Sequence, residues 1–163
     1  MAAGVLAAGA AGSGSPVYRI DHVVDGDTVD LTNGAKVRLV QIDTPEVYFG
    51  NECWGRQASA ETKTLLPPGT RVRLTAEPAT DSVDRYGRLL RYVIRARDGL
   101  NVNVFLVAHG DAAPYFYRGR QGRYARVLRT DALRARVQHR GLWRSCPETP
   151  VDFDRAISTG PGA

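Results

Sequence analysis

Between Asp25 and Glu46 the chain gathers residue types that can act on phosphate: Asp25-Gly26-Asp27-Thr28-Val29, then Arg38, then Asp43-Thr44-Pro45-Glu46. Asn33-Gly34 sits between two alternating runs. It predicts a β-hairpin with a type I′ turn, because both residues accept the positive φ that such a turn needs. The first arm starts near Asp27 and the second ends near Ile42, so closing the hairpin brings Asp27 and Asp43 together. Two carboxylates held close repel unless positive charge lies between them. Hard oxygen donors of this kind suit Ca²⁺ or Mg²⁺, and Arg38, on the same strand as Asp43, can reach the same place. A cation, an arginine and a carboxylate base are the parts that phosphodiester chemistry needs. Taken singly, each residue reads equally well as a solvated hairpin acid or a turn former; the grouping carries the argument.

The surrounding pattern supplies the elements that must hold these groups. Val17 to Val24 is β-branched and mostly apolar, a first strand; Thr28 to Leu31 alternates as a second; Ala35 to Ile42 reads as a third. On that third strand Val37, Leu39 and Gln41 fall on one side and Arg38, Val40 and Ile42 on the other. A charged Arg38 among inward-facing residues or at a barrel mouth needs a partner. Val47 to Gly55 is a loop. Arg56 to Leu66 is a helix stopped by Pro67-Pro68-Gly69. Val72 to Thr75 and Arg88 to Arg95 are further strands. Val102 to His109 is a helix ending at Gly110, and Gln121 to His139 is a third helix with Tyr124, Val127, Leu128, Leu133 and Val137 as its apolar stripe.

The chain has 163 residues, enough for one domain with tails, and a formal charge of +5 that fits a polyanionic partner. Only Lys36 and Lys63 are lysines; arginine carries the rest of the positive charge, through phosphate binding or through a plain compositional bias. No Cys/His cluster has the spacing of a zinc site, and His22, His109 and His139 are scattered as packing or surface residues. Met1 to Ser15 is uncharged and rich in Ala and Gly. It reads as the back half of a secretory signal, with small residues near Ala8-Gly9-Ala10 suited to cleavage but no basic start. It is too short and glycine-rich to span a bilayer. The expected location is secreted or cell-envelope, or cytoplasmic if this leader is no export signal. In an exported chain, two cysteines favour a Cys53–Cys146 disulfide; two buried thiols are the alternative in the cytosol. The expected division is a disordered leader over 1–16, one domain over 17–146 and a disordered tail over 147–163, the whole a monomer.

The Asp25-Gly26-Asp27-Thr28-Val29 segment and the later Arg38-Leu39, Asp43-Thr44-Pro45-Glu46 closely resemble the marks of the thermonuclease (staphylococcal nuclease-like) family. Asp84-Arg85-Tyr86-Gly87-Arg88, Tyr115-Phe116-Tyr117 and Arg140-Gly141-Leu142-Trp143 extend the likeness, which runs from about Tyr18 to Cys146. The resemblance implies an α+β fold: a five-stranded Greek-key OB-type β-barrel with three α-helices, an architecture that recurrently binds oligonucleotides.

It also implies an activity, a calcium-dependent hydrolysis of DNA or RNA that leaves 3′-phosphates. Asp27 and Asp43 would bind Ca²⁺ through carboxylate oxygens and Thr44 through its carbonyl. Arg38 and Arg88 would hold the scissile phosphate, with guanidinium forks matched to its oxygens. Glu46 would be the general base. Arg85, Tyr86, Tyr115 and Tyr117 would contact nucleotide phosphate or base, aromatic faces being able to stack on any base. The alternative is an OB-type nucleic-acid-binding module without catalysis; such a module would lose the acid and arginine set that this chain keeps.

Overall fold

The computed structural model describes residues 15–48 and 50–162; the expected leader, up to residue 14, lies outside them. Strands β1 (Val17–Val23), β2 (Thr28–Leu31), β3 (Lys36–Leu39), β5 (Arg71–Ala76) and β6 (Leu89–Arg95) close a barrel in the order β1-β2-β3-β6-β5. All pairings are antiparallel except β3 with β6, which runs parallel with Arg38 opposite Leu90. Ile20, Val29, Val37, Leu39, Val72 and Val93 fill the interior, each fully buried.

The Asn33-Gly34 turn forms, but not as type I′. Only Gly34 has positive φ, the Gly34 amide donates to Leu31 O, and Leu31 N donates to Ala35 O. This is a three-residue loop ending in a left-handed glycine, the other common hairpin connection.

The expected third strand breaks at Gln41, whose φ is 65°. A non-glycine residue in the left-handed region is uncommon and turns the chain sharply. Past the break, β4 (Ile42–Asp43) leaves the barrel and pairs antiparallel with β7 (Ala113–Pro114). The alternation read from sequence fails here, and Val40, Gln41 and Ile42 are all buried in succession.

Helices α1 (Gly55–Leu65), α2 (Val102–His109) and α3 (Ala125–Val137) match the three expected, and a short α4 (Leu142–Ser145) follows. Asn101 caps α2 by accepting from the Val104 amide, and left-handed Gly110 ends it. The α3 helix starts at Ala125 rather than Gln121, and its buried residues are Ala125, Leu128, Ala132 and Ala135. Val127, Leu133 and Val137, expected in the stripe, point to solvent; small alanines let α3 lie close on α2.

The segment 147–162 is not the free tail expected from its composition. Phe153 enters the core, its carbonyl accepts from the Phe116 amide, and the Arg129 guanidinium lies over both Phe116 and Phe153. Its last residues run along the 46–53 loop: Thr159 Oγ1 donates to Cys53 O, Cys53 N to Gly160 O, and Gly162 N to Asn51 O. Polar and proline-rich sequence hid this because the contacts are mostly backbone hydrogen bonds. Cys53 and Cys146 form a disulfide across a sequence separation of 93, with Trp54, Trp143 and Ile157 packed around it. No helix among the described residues is long and apolar enough to cross a membrane.

Replacing both cysteines by serine should lower stability by as much as about 4–5 kcal/mol, the chain-entropy value for so long a closure. Urea denaturation of the double variant against wild type measures it.

Candidate active site

The site grows from the β2–β3 hairpin. Asp25 Oδ1 accepts from the Asp27 amide, shaping the turn before β2. Asp27 is buried immediately before that strand. Its Oδ2 accepts from the Thr44 amide at 2.9 Å and the Thr44 hydroxyl at 3.1 Å, and its Oδ1 from Thr28 Oγ1 at 3.2 Å. Gly26 leaves room for this, since a Cβ there would collide with the Thr44 side chain. Asp43 lies at the end of β4, and its Oδ2 accepts from the Ile157 amide at 2.8 Å.

Arg38 lies between the two acids. One terminal nitrogen is 3.0 Å from Asp27 Oδ2 and also bonds Asp43 Oδ1. The other donates to Leu39 O and Ile42 O, each at 3.0 Å. The expected meeting of Asp27 and Asp43 therefore occurs with the guanidinium as the cation between them. The charge is still unbalanced, because the carboxylates of Asp27, Asp43, Asp25 and Glu46 all act on this one guanidinium. Burial, opposed by Arg38 and reinforced by Asp25 and Asp43, pushes Asp27 up to about 7. Burial likewise raises Asp43, and partial burial with the Asp25 and Asp43 charges raises Glu46. A surplus of hard oxygen donors short of positive charge fits a hard divalent ion such as Ca²⁺. Among the described residues, no three acidic, His or Cys side chains converge tightly enough to enclose an ion.

The parallel β3–β6 pairing carries Arg88 to the same mouth. Arg88 Nε donates to Asp84 Oδ2 at 2.7 Å, its amide to Asp84 Oδ1, and Nη1 to Thr28 Oγ1 at 3.4 Å. The hydrogen bonds from Arg88 and Tyr86 outweigh the desolvation of Asp84 and lower its pKa. Asp84 was not singled out from sequence, although its place four residues before Arg88 was on view. Exposed Tyr86 has Arg85 and Arg88 over its ring, at 4.7 and 5.4 Å from the centroid. Tyr115 and Tyr117 meet edge to face across 6.2 Å.

Arg38, Arg88, Arg85, Tyr86, Tyr115 and Tyr117 share the lining of one cavity of about 410 Å³, large enough for a nucleotide unit. Arg118, Arg120 and Gln41 also line it, and none of these was read as a site residue from sequence. Asp27 and Asp43 stand behind Arg38 rather than on the wall. Glu46 is exposed and outside the cavity lining; its amide donates to Glu52 Oε2, and Ser158 Oγ donates to the other Glu52 oxygen.

The chain matches the family described as staphylococcal nuclease homologue over residues 36–145. It is 34% identical over 160 residues to the endonuclease YhcR of Bacillus subtilis, covering 88% of this chain but 13% of that much longer protein. It is 37% identical over 135 residues to an uncharacterized endonuclease of Escherichia coli O157:H7, covering 81% of this chain and 80% of the relative. It is 32% identical over 117 residues to the thermonuclease of Staphylococcus hyicus, covering 68% and 66%.

The raised Asp27 pKa has a stability consequence with a definite sign. A folded value near 7 against an ordinary 3.8 means that folding without a bound cation favours the protonated acid. The penalty is absent below 3.8, grows as pH rises and is complete above about 7. Asp27→Asn should therefore melt at a higher temperature than wild type at pH 8, with a smaller gap at pH 5. Adding Ca²⁺ should close the gap by stabilising wild type only. Thermal unfolding at the two pH values, in chelator and in Ca²⁺, reads all three outcomes.

Proposed function

The chain belongs to the staphylococcal nuclease family, and from that premise we propose that it is a Ca²⁺-dependent nuclease cleaving DNA or RNA by attack of water on phosphorus, with 3′-phosphate products. The observation that carries this reading is the convergence of Arg38 and Arg88 on one cavity, with the buried Asp27–Asp43 pair directly behind Arg38.

A phosphodiester under attack spreads negative charge over its nonbridging oxygens. Arg38 and Arg88 face that charge as guanidinium cations, already oriented by Asp27, Asp43 and Asp84; Arg38 keeps its Nε–H and Arg88 its Nη2 clear of these partners. Thr28 touches both Asp27 and Arg88, so the two halves of the clamp share one hydroxyl. Tyr86, Tyr115 and Tyr117 offer flat faces to the nucleoside, a sequence-tolerant grip. Ca²⁺ held by Asp27, Asp43 and Thr44 would lower the pKa of water and offset phosphate charge. Glu46, exposed outside the cavity lining and with its basicity raised, would take the role of base for the attacking water. All these groups come from one chain, which supports a monomeric enzyme. The Cys53–Cys146 disulfide supports export to an oxidising compartment. The presence of the full acid and arginine set favours an enzyme over a binding module.

Plasmid digestion with Ca²⁺, Mg²⁺ or chelator, followed by analysis of product ends, tests the proposal. Cleavage should need Ca²⁺ and leave 3′-phosphates; full activity in chelator would remove the metal assignment, and binding without cleavage would favour the module. Arg38→Ala and Arg88→Ala should each lose about 10²–10³-fold in kcat, roughly 3 kcal/mol or more of transition-state stabilisation. Circular dichroism should stay native for both.

A further inference from the structure

Gln41 is a polar residue at a strand break, buried to 5% exposure, with its backbone in the left-handed region. Its side-chain amide is used at both ends: Nε2 donates to Arg120 O at 2.6 Å, and Oε1 accepts from the Gly122 amide at 2.8 Å. Its own carbonyl accepts from the Tyr115 amide at 2.9 Å. One residue thus suspends the whole stretch from Tyr115 to Gly122, across about eighty positions of sequence. That stretch carries Tyr115, Tyr117, Arg118 and Arg120, one wall of the cavity. The opposite wall carries Tyr86 and Arg88, and Arg120 Nη1 bonds Asp81 to tie the walls at the rim.

The corner that bears Gln41 is itself gripped by Arg38, whose guanidinium donates to the carbonyls of Leu39 and Ile42 on either side of it. A continuous chain of hydrogen bonds therefore runs from the phosphate clamp through a tight backbone corner to the aromatic wall.

Resting on the nuclease reading above, we propose that Gln41 is a positioning residue for substrate grip. It sets the distance between the Tyr115–Arg120 wall and the Arg38–Arg88 clamp, so that one nucleotide unit of a nucleic-acid strand spans both. Leucine in its place would keep the volume but leave the Arg120 carbonyl and Gly122 amide without partners. Glutamate would keep an acceptor for Gly122 yet turn a second oxygen on the Arg120 carbonyl. Either change frees the wall without touching a group assigned to the reaction.

The test uses Gln41→Leu and Gln41→Glu in the full chain. Binding of a short fluorescent single-stranded oligonucleotide is measured by anisotropy with Ca²⁺ withheld, and steady-state kinetics are measured with Ca²⁺ present. In both variants Kd and KM should rise about tenfold while kcat stays within about twofold of wild type, with faster amide exchange at Gly122. Unchanged Kd and KM, or a fall in kcat alone, would overturn the proposal. Glutamate has the shape of glutamine, so Gln41→Glu decides the matter if Gln41→Leu does not fold. Wild type that neither binds nor cleaves would instead overturn the nuclease reading, and this inference with it.

Discussion

The site depends on one arrangement: a half-buried guanidinium between two carboxylates that burial has made reluctant to ionise. Arg38 is the one cation the two acids share: neutralising Asp27 leaves it paired with Asp43, whereas removing Arg38 would leave both acids facing each other without a counter-charge. Arg38 also directs its other terminal nitrogen to the Leu39 and Ile42 carbonyls. The same side chain therefore holds the acid pair and the backbone corner where the third strand leaves the barrel. That corner cannot relax without disturbing the charge cluster, and the cluster cannot shift without bending the corner. Here the electrostatic order of the site and the geometry of the chain are the same constraint.

The barrel's role is to bring distant residues to this cluster at fixed spacing. The parallel pairing of β3 with β6 places Arg88 beside Arg38, fifty positions away in sequence, through Leu90 opposite Arg38. Asp84 turns the Arg88 side chain toward the mouth. Such pairing depends on strand order, which alternation along a single strand does not encode.

What could be read from sequence divides along that line. The hairpin, the meeting of Asp27 with Asp43, three helices and the disulfide partners were legible, because each rests on local pattern, on short-range closure or on a count. The motif likeness supplied the barrel, Arg88 and the tyrosines. Gln41, Arg118 and Arg120 were not legible. Gln41 acts through a left-handed backbone and partners some eighty positions away, and nothing in its neighbours' types announces either. The C-terminal stretch was misread for a related reason: Ile157 reaches Asp43 with its backbone amide, a donor that every non-proline residue has. The stripe assigned to α3 failed because alanine, weak in any hydrophobic pattern, forms the packed face.

The Cys53–Cys146 bridge turns the intervening polypeptide into a covalent ring. Tyr86, Arg88, Tyr115 and Tyr117 lie inside that ring, while Asp27, Arg38, Asp43 and Glu46 lie on the arm before it. A peptide bond cut anywhere inside the ring opens it but releases no fragment. The arm with the acids stays joined to the pieces carrying the second arginine and the aromatic wall. In surroundings rich in proteases, a single nick in an exposed turn, such as the one around Gly87, would leave two disulfide-linked chains still held by the barrel's strand pairing. The fold thus has a tolerance for scission that its active-site chemistry neither needs nor reveals.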